Sequence, residues 1–219
     1  MKEIIKDLGN DLVLRRSTLE DTDALAAFNS KIHADDDFDA LALAAWTRDL
    51  MITEHPTFSP QDFTIVEHVK THQVISASCL ISQTWTYEGV PFKVGRIELV
   101  GTLPEYRGRG LIGEQFKVIH QWSQARGELV QAITGIPYYY RRFGYEMALN
   151  FWGGRLGYEA NIVPLKQGEE EPYRIRLAVE SDIDFIAQLY TQGCERSLIA
   201  TKWDKALWLY QLNRLEDLD

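Results

Sequence analysis

Thr102-Leu103-Pro104-Glu105-Tyr106-Arg107-Gly108-Arg109-Gly110-Leu111-Ile112-Gly113 is the stretch on which the reading of this chain turns. It lies between an apolar alternating run, Val94 to Thr102, and a segment with the apolar spacing of a helix that runs to about Ala125. Glycines at 108, 110 and 113 remove side chains from a backbone that must approach something closely. The first turn of a helix presents unpaired N–H groups and the positive end of the helix dipole. Such a turn suits phosphate, so the expected guest is a phosphate-bearing cofactor.

Two familiar phosphate loops do not fit the surroundings. A dinucleotide fingerprint needs a strand running straight into its first glycine and an acidic residue closing the next strand about 20 positions on. Here Pro104 to Arg107 intervenes, and Glu128 precedes the next apolar run instead of ending it. A P-loop needs Lys-Ser or Lys-Thr after the glycines, and neither follows. Read as Arg107-x-x-Gly110-x-(small), the segment resembles the acetyl-CoA pyrophosphate loop of the GNAT N-acetyltransferase superfamily. The block Thr102 to Leu111 looks like that family's commonest wording. Ile112 departs from it, because the family usually has Gly or Ala there; the enhanced-intracellular-survival branch, which tolerates a bulkier residue, is the closest in wording.

The rest of the composition bounds the function. The chain has 219 residues, 45% of them hydrophobic, enough to bury a full core. Its net charge of −9 argues against nucleic-acid or anionic-membrane surfaces, which are bound through Lys and Arg. Two cysteines, Cys79 and Cys194, offer neither a disulfide framework nor a zinc pattern, and no metal site is expected. The N-terminus has no apolar core of a signal peptide and no run approaches bilayer length, so the chain reads as soluble and cytoplasmic.

Periodicity predicts a strand at Leu12–Arg16 and a helix burying Leu25, Phe28 and Ile32. A second helix follows from about Phe38 to Met51, then strands over 63–69, 74–81 and 94–102. After the glycine loop and its helix come a buried strand, Leu129–Thr134, a short helix, Pro137 to Phe143, and closing strands from Tyr145 to Leu156. Composition alone gives a mixed α/β domain. The order resembles the GNAT fold over residues 10 to 160, which implies a mixed, mostly antiparallel central sheet flanked by helices. Residues 1–165 would form that domain and 166–172, with a charge run, Gly168 and Pro172, a linker. Residues 173–219 echo the opening: Leu14-Arg15 against Ile175-Arg176, and Asp21-x-Asp23 against Asp182-x-Asp184. The tail therefore reads as a partial second GNAT-like unit, a strand near 174–177 and helices from about Asp182 and Lys202. Its orphan apolar stripe should pack on the first domain, on a second chain as a homo-oligomer, or on further sequence.

The resemblance also implies roles. Backbone N–H groups from Gly108 through Gly110, Leu111 and Ile112 to Gly113 would cradle the pyrophosphate, with Arg107 or Arg109 adding charge. The edge Glu98 to Thr102 would pair with pantetheine, and Leu99 or Val100 would direct an N–H at the thioester oxygen. Ile136-Pro137-Tyr138-Tyr139-Tyr140-Arg141-Arg142-Phe143-Gly144-Tyr145 resembles the family signature whose tyrosine is the general acid; counting back from Gly144 gives Tyr140, with Tyr138 and Tyr139 as rivals. A phenol can donate to a departing thiolate. Glu98 is the candidate base, against a water chain, the free-amine fraction of the substrate, or simple pairing of Glu98 with Arg96. Asp35-Asp36-Asp37 lies where relatives close over the acceptor, yet a charge run also suits a solvated turn. His68 and His72 flank a hairpin with no third ligand in view, and His120 and Cys79 read as packing residues. The expected function is transfer of an acetyl group from acetyl-CoA, as co-substrate, to a primary amine of a small molecule or peptide in a ternary complex. The alternative is a non-catalytic acyl-CoA-binding or partner-binding module.

Overall fold

The computed structural model describes residues 3–136, 138–150, 157–166, 168 and 170–213. Its centre is a sheet built by period-two alternation. Strands β1 (Ile4–Gly9), β2 (Leu12–Arg16), β3 (Phe63–His68), β4 (Gln73–Tyr87), β5 (Val90–Thr102) and β6 (Val130–Ile133) lie side by side in chain order. All neighbours are antiparallel except β5 and β6, which run parallel. A parallel pair needs a crossover, and α3 (Leu111–Ala125) supplies it.

Opposed residues on neighbouring strands share a face, so the register sorts the side chains. Ile65, Ala77 and Cys79 face one side, which α1 (Thr22–His33) and α2 (Asp37–Ile52) cover with Leu25, Phe28, Leu50 and Met51. Leu80 and Ile97 face the other, against Ile112, Phe116 and Ile119 of α3. Asp36 caps α2 by accepting from the Asp39 N–H, so the acidic run at 35–37 begins a helix.

β4 is much longer than the predicted 74–81. It pairs with β3 only as far as Cys79, and the exposed continuation takes up β7 (Ile199–Thr201) at Trp85–Tyr87. The hairpin β1–β2 was not predicted. Its turn residues Asn10 and Asp11 both have positive φ, the backbone that tight hairpins demand. β6 was expected to be buried, but among the described residues it has a strand on one side only, and Leu129 and Val130 are exposed. The predicted helix at 137–143 contracts to a single 3₁₀ turn, Tyr140–Phe143; Pro137 lies outside the described residues. Of the predicted closing strands, 145–150 is irregular and 151–156 lies outside the described residues.

Beyond Pro172, 174–177 forms no strand; among the described residues of this segment the strand is β7. α4 (Ile183–Cys194) and α5 (Lys205–Asn213) are helical. Tyr190, Trp203 and Trp208 stack edge and face at 4.6–5.8 Å. The Tyr210 hydroxyl donates to Asp49 at 2.6 Å, and its ring meets His55 at 4.4 Å, tying α5 to α2. The echo of the N-terminus extends to hydrogen bonds. Arg15 forks onto Asp21 six residues on, and Asp21 accepts from the Thr18 N–H; Arg176 forks onto Asp182, which accepts from the Val179 N–H. No helix among the described residues is long and apolar enough to cross a membrane.

The Arg15 guanidinium is buried between Asp21 and Glu67. Arg15→Met would leave two buried carboxylates without that cation, an arrangement costing about 3–5 kcal/mol. Urea unfolding at neutral pH should register a loss of that order; a loss below about 1 kcal/mol would show that water already screens the site.

Candidate active site

The site begins with a defect in β5. Ala77 opposes Gly101 and Cys79 opposes Glu98, so Leu99 and Val100 together face the single residue Ser78. This is a β-bulge, and Leu99 takes φ +53° to make it. A non-glycine residue in that region costs on the order of 1–2 kcal/mol, which the surrounding pairs must offset. The bulge bends β5 away from β6. Their pairing ends at Ile97 with Ile133, and beyond it, among the described residues, no strand lies on that edge of Glu98–Thr102. The sheet therefore splays.

Side chains from both faces meet at this opening. Glu98 lies on the α1–α2 side, with Arg96 two residues earlier donating from Nε to its Oε1. Burial lifts the Glu98 carboxyl above its ordinary value, and Arg96 pulls only partway back. Tyr140 stands on the α3 side, its ring parallel to Phe116 at 6.0 Å and edge-on to Tyr139 at 5.0 Å. Burial, with smaller contributions from Tyr139 and Glu98, pushes its phenol up to about 12. The ring covers Gly135 so closely that any Cβ there would collide with it. Gly135 is thus a site residue that sequence reasoning missed, although a glycine just past a strand end was the available signal. Tyr138 is exposed at positive φ, with its ring under Arg141; neither it nor Tyr139 shares Tyr140's position over Gly135.

Gly101 is the second missed glycine. A Cβ there would meet Ile32 at 2.7 Å and His33 Nε2 at 3.2 Å, so its bareness lets the end of α1 lie on β5. Burial lowers the His33 pKa and keeps the imidazole neutral. Cys79, opposite Glu98, is fully buried and its thiol is pushed up, which makes it a packing residue. His120 bonds the Tyr145 hydroxyl at 2.8 Å, and His72 bonds Glu67 at 2.6 Å. Among the described residues no group of three His, Cys, Asp or Glu could hold a metal ion.

The glycine loop meets α3 at Gly110, which has φ +77° and no side-chain cap. The N–H groups of the first turn are accordingly left for an outside acceptor. Gly108 shares this φ, and open space surrounds both glycines. Arg107 turns back to the Thr102 carbonyl at 3.2 Å, while Arg109 stacks on Tyr106 and bonds the Glu105 carbonyl. Ile112 points into the core against Phe116, so its bulk stays out of the loop. A buried network locks the loop to the sheet. Gln115 accepts from Thr64 at 2.9 Å and donates to Ser76 at 2.6 Å, and Ser76 meets the Thr102 hydroxyl at 2.7 Å. On the other side, Arg96 and Glu98 open into a cavity of about 340 Å³ between α2, β4 and the C-terminal segment.

This geometry has counterparts. The model of the acetyltransferase (GNAT) domain matches residues 14–148. The chain matches no curated protein. Among solved structures, a predicted acetyltransferase from Clostridium acetobutylicum, crystallised with acetyl-CoA, is 15% identical. The match covers 66% of this chain and 96% of that one, with a TM-score of 0.50. Glucosamine-6-phosphate N-acetyltransferase from Arabidopsis thaliana is 9% identical over 67% of this chain and 99% of that one, with a TM-score of 0.51. Saccharomyces cerevisiae N-myristoyltransferase with bound myristoyl-CoA is 12% identical and gives 0.63, over 96% of this chain and 55% of that chain. The 96% of this chain so covered extends past residue 172. At these identities the likenesses concern the fold alone; the domain match, over more than half of the chain, shows that it belongs to the GNAT acetyltransferase family.

Proposed function

We propose that the protein is an N-acetyltransferase that moves the acetyl group of acetyl-CoA to a primary amine by direct attack, with no covalent enzyme intermediate. One observation carries this reading: a carboxylate and a phenol stand on opposite sides of the same splayed opening, next to a bulged backbone. The pyrophosphate would rest on the N–H groups from Gly108 to Gly113, and the pantetheine would lie along Glu98–Thr102. Val100 or Leu99 would direct its N–H at the thioester oxygen, where charge develops. The amine nitrogen forms its bond to the carbonyl carbon and passes a proton to Glu98, directly or through water. The C–S bond then breaks, and the thiolate takes its proton from Tyr140, which water reloads. Burial that raises the phenol raises the buried thiolate's basicity as well, so the donor and acceptor stay matched.

The finer family placement, in the enhanced-intracellular-survival branch, rests on the wording of Thr102–Leu111 and on Ile112. Residues 173–219 are proposed as a partial second GNAT-like unit, supported by the recurring Arg–Asp fork ahead of α1 and α4. Exposed Phe185 and Leu189 on α4 support association with a second chain. The competing reading, a non-catalytic acyl-CoA-binding module, draws on the engagement of Glu98 by Arg96. Release of free thiol from acetyl-CoA with a panel of amines separates the two.

Acetyl-CoA should raise the melting temperature, as a native-state ligand does. Gly110→Asp should abolish that shift, since its carboxylate would repel the pyrophosphate and L side chains rarely adopt its φ. An unchanged shift in the variant would move the cofactor elsewhere.

Tyr140→Phe should lower turnover by roughly 10²–10³ with cofactor affinity retained, while Tyr138→Phe and Tyr139→Phe have small effects. In the wild type, kcat/KM should rise with pH as Glu98 loses its proton above the ordinary carboxylate range. It should not fall again below about pH 10, because a phenol near 12 stays loaded. A bell with an alkaline limb near pH 8 would assign the acid role to another group.

A further inference from the structure

The acceptor cavity has an unequal lining. One polar end is Arg96 beside Glu98; Trp46, Leu50, Trp203 and Leu207 give apolar walls, and Lys202 and Asp204 are among the polar residues that complete the lining. The far side comes from the C-terminal segment, brought there by β7 on β4 and by Tyr210 on Asp49. Among the described residues the Arg96 Nε–H bonds Glu98 alone, and its remaining guanidinium N–H groups have no hydrogen-bond partner. The Arg96 side chain is 36% exposed against 13% for Glu98, and both residues line the cavity.

Resting on the transferase reading above, we propose that the acceptor is a free α-amino acid with an apolar or aromatic side chain. A ligand that enters an existing ion pair leaves no buried charge unpaired only if it brings both signs. An amine and a carboxylate on one carbon do so: the ligand carboxylate takes the Arg96 fork in bidentate fashion, and the ligand amine takes the place of Arg96 on Glu98. The amine thereby reaches the base. The side chain then lies between Trp46 and Trp203, apolar surface that a polyamine would waste. Polyamines and aminoglycosides would also set further positive charge against Arg96. A peptide N-terminus lacks the adjacent carboxylate. A volume of about 340 Å³ suits a small molecule.

The test uses matched acceptors: leucine and phenylalanine against the corresponding decarboxylated amines and against spermidine, with thiol release as the assay. Amino-acid binding to the CoA-loaded protein is measured in parallel by calorimetry. The amino acids should exceed their decarboxylated partners in kcat/KM by at least about tenfold, the worth of one charge-assisted contact. Arg96→Lys, which keeps the charge but loses the fork, should erase most of that preference through KM. Trp203→Ala should raise the KM for phenylalanine and leave the acetyl-CoA melting shift intact, which reports that the fold survives. Equal or better use of the decarboxylated amines overturns the proposal, as does a preference that survives Arg96→Lys. Failure of any amino acid to bind overturns it too. Binding of phenylalanine without thiol release would uphold the site and overturn the transferase reading.

Discussion

A bulge at Leu99 is the constraint on which this structure depends. One extra residue opposite Ser78 turns β5 away from β6, and the gap so formed is where the proposed mechanism puts the thioester. The other unusual features answer to it. Gly101 is bare so that α1 can lie on the bent strand, and Gly135 is bare so that Tyr140 can cover the end of β6. The Gln115–Ser76–Thr102 network holds the glycine loop in line with the same strand. Left-handed backbone at a leucine is unfavourable in isolation. It persists because the pairs on β4 and the packing of Leu99 in the core over-determine it.

Burial then sets the chemistry. The two ionisable groups at the opening are both desolvated, and both are shifted toward their neutral forms. A raised carboxyl is a better base once ionised, and a raised phenol is a donor that is always loaded. The pairing of Glu98 with Arg96 is therefore best read as the resting state of a site that a two-signed acceptor would rearrange. The C-terminal segment supplies one wall of that cavity, so on the proposed reading α5 and Trp203 would act on which acceptor enters rather than on the cofactor.

How far the sequence carried this account follows from the physics of each part. The bare turn at the mouth of α3 was legible because Gly108 and Gly110 mark a left-handed backbone in the sequence itself; the roles proposed for that turn and for Tyr140 come from motif spacing. The long antiparallel hairpin was legible in kind but not in length, since Ser82-Gln83-Thr84 interrupts the apolar run and the pairing beyond it is with β5 and, at Trp85–Tyr87, with β7. The bulge was not legible at all: Leu99 carries no glycine signal, and only the register of β4 reveals it. The cavity was equally hidden, because its walls come from segments more than a hundred residues apart. Ile112 looked like a departure from the family pattern in the sequence and proves to be a core residue in the fold.

Where the thioester lies decides the mechanism, and a crystal structure of the protein with acetyl-CoA would show it. Pantetheine should run along Glu98–Thr102, with the thioester oxygen about 2.7–3.1 Å from the backbone nitrogen of Leu99 or Val100. The sulfur should then face the Tyr140 hydroxyl. A cofactor bound away from the splay, or a thioester oxygen with no β5 N–H within reach, would contradict that mechanism.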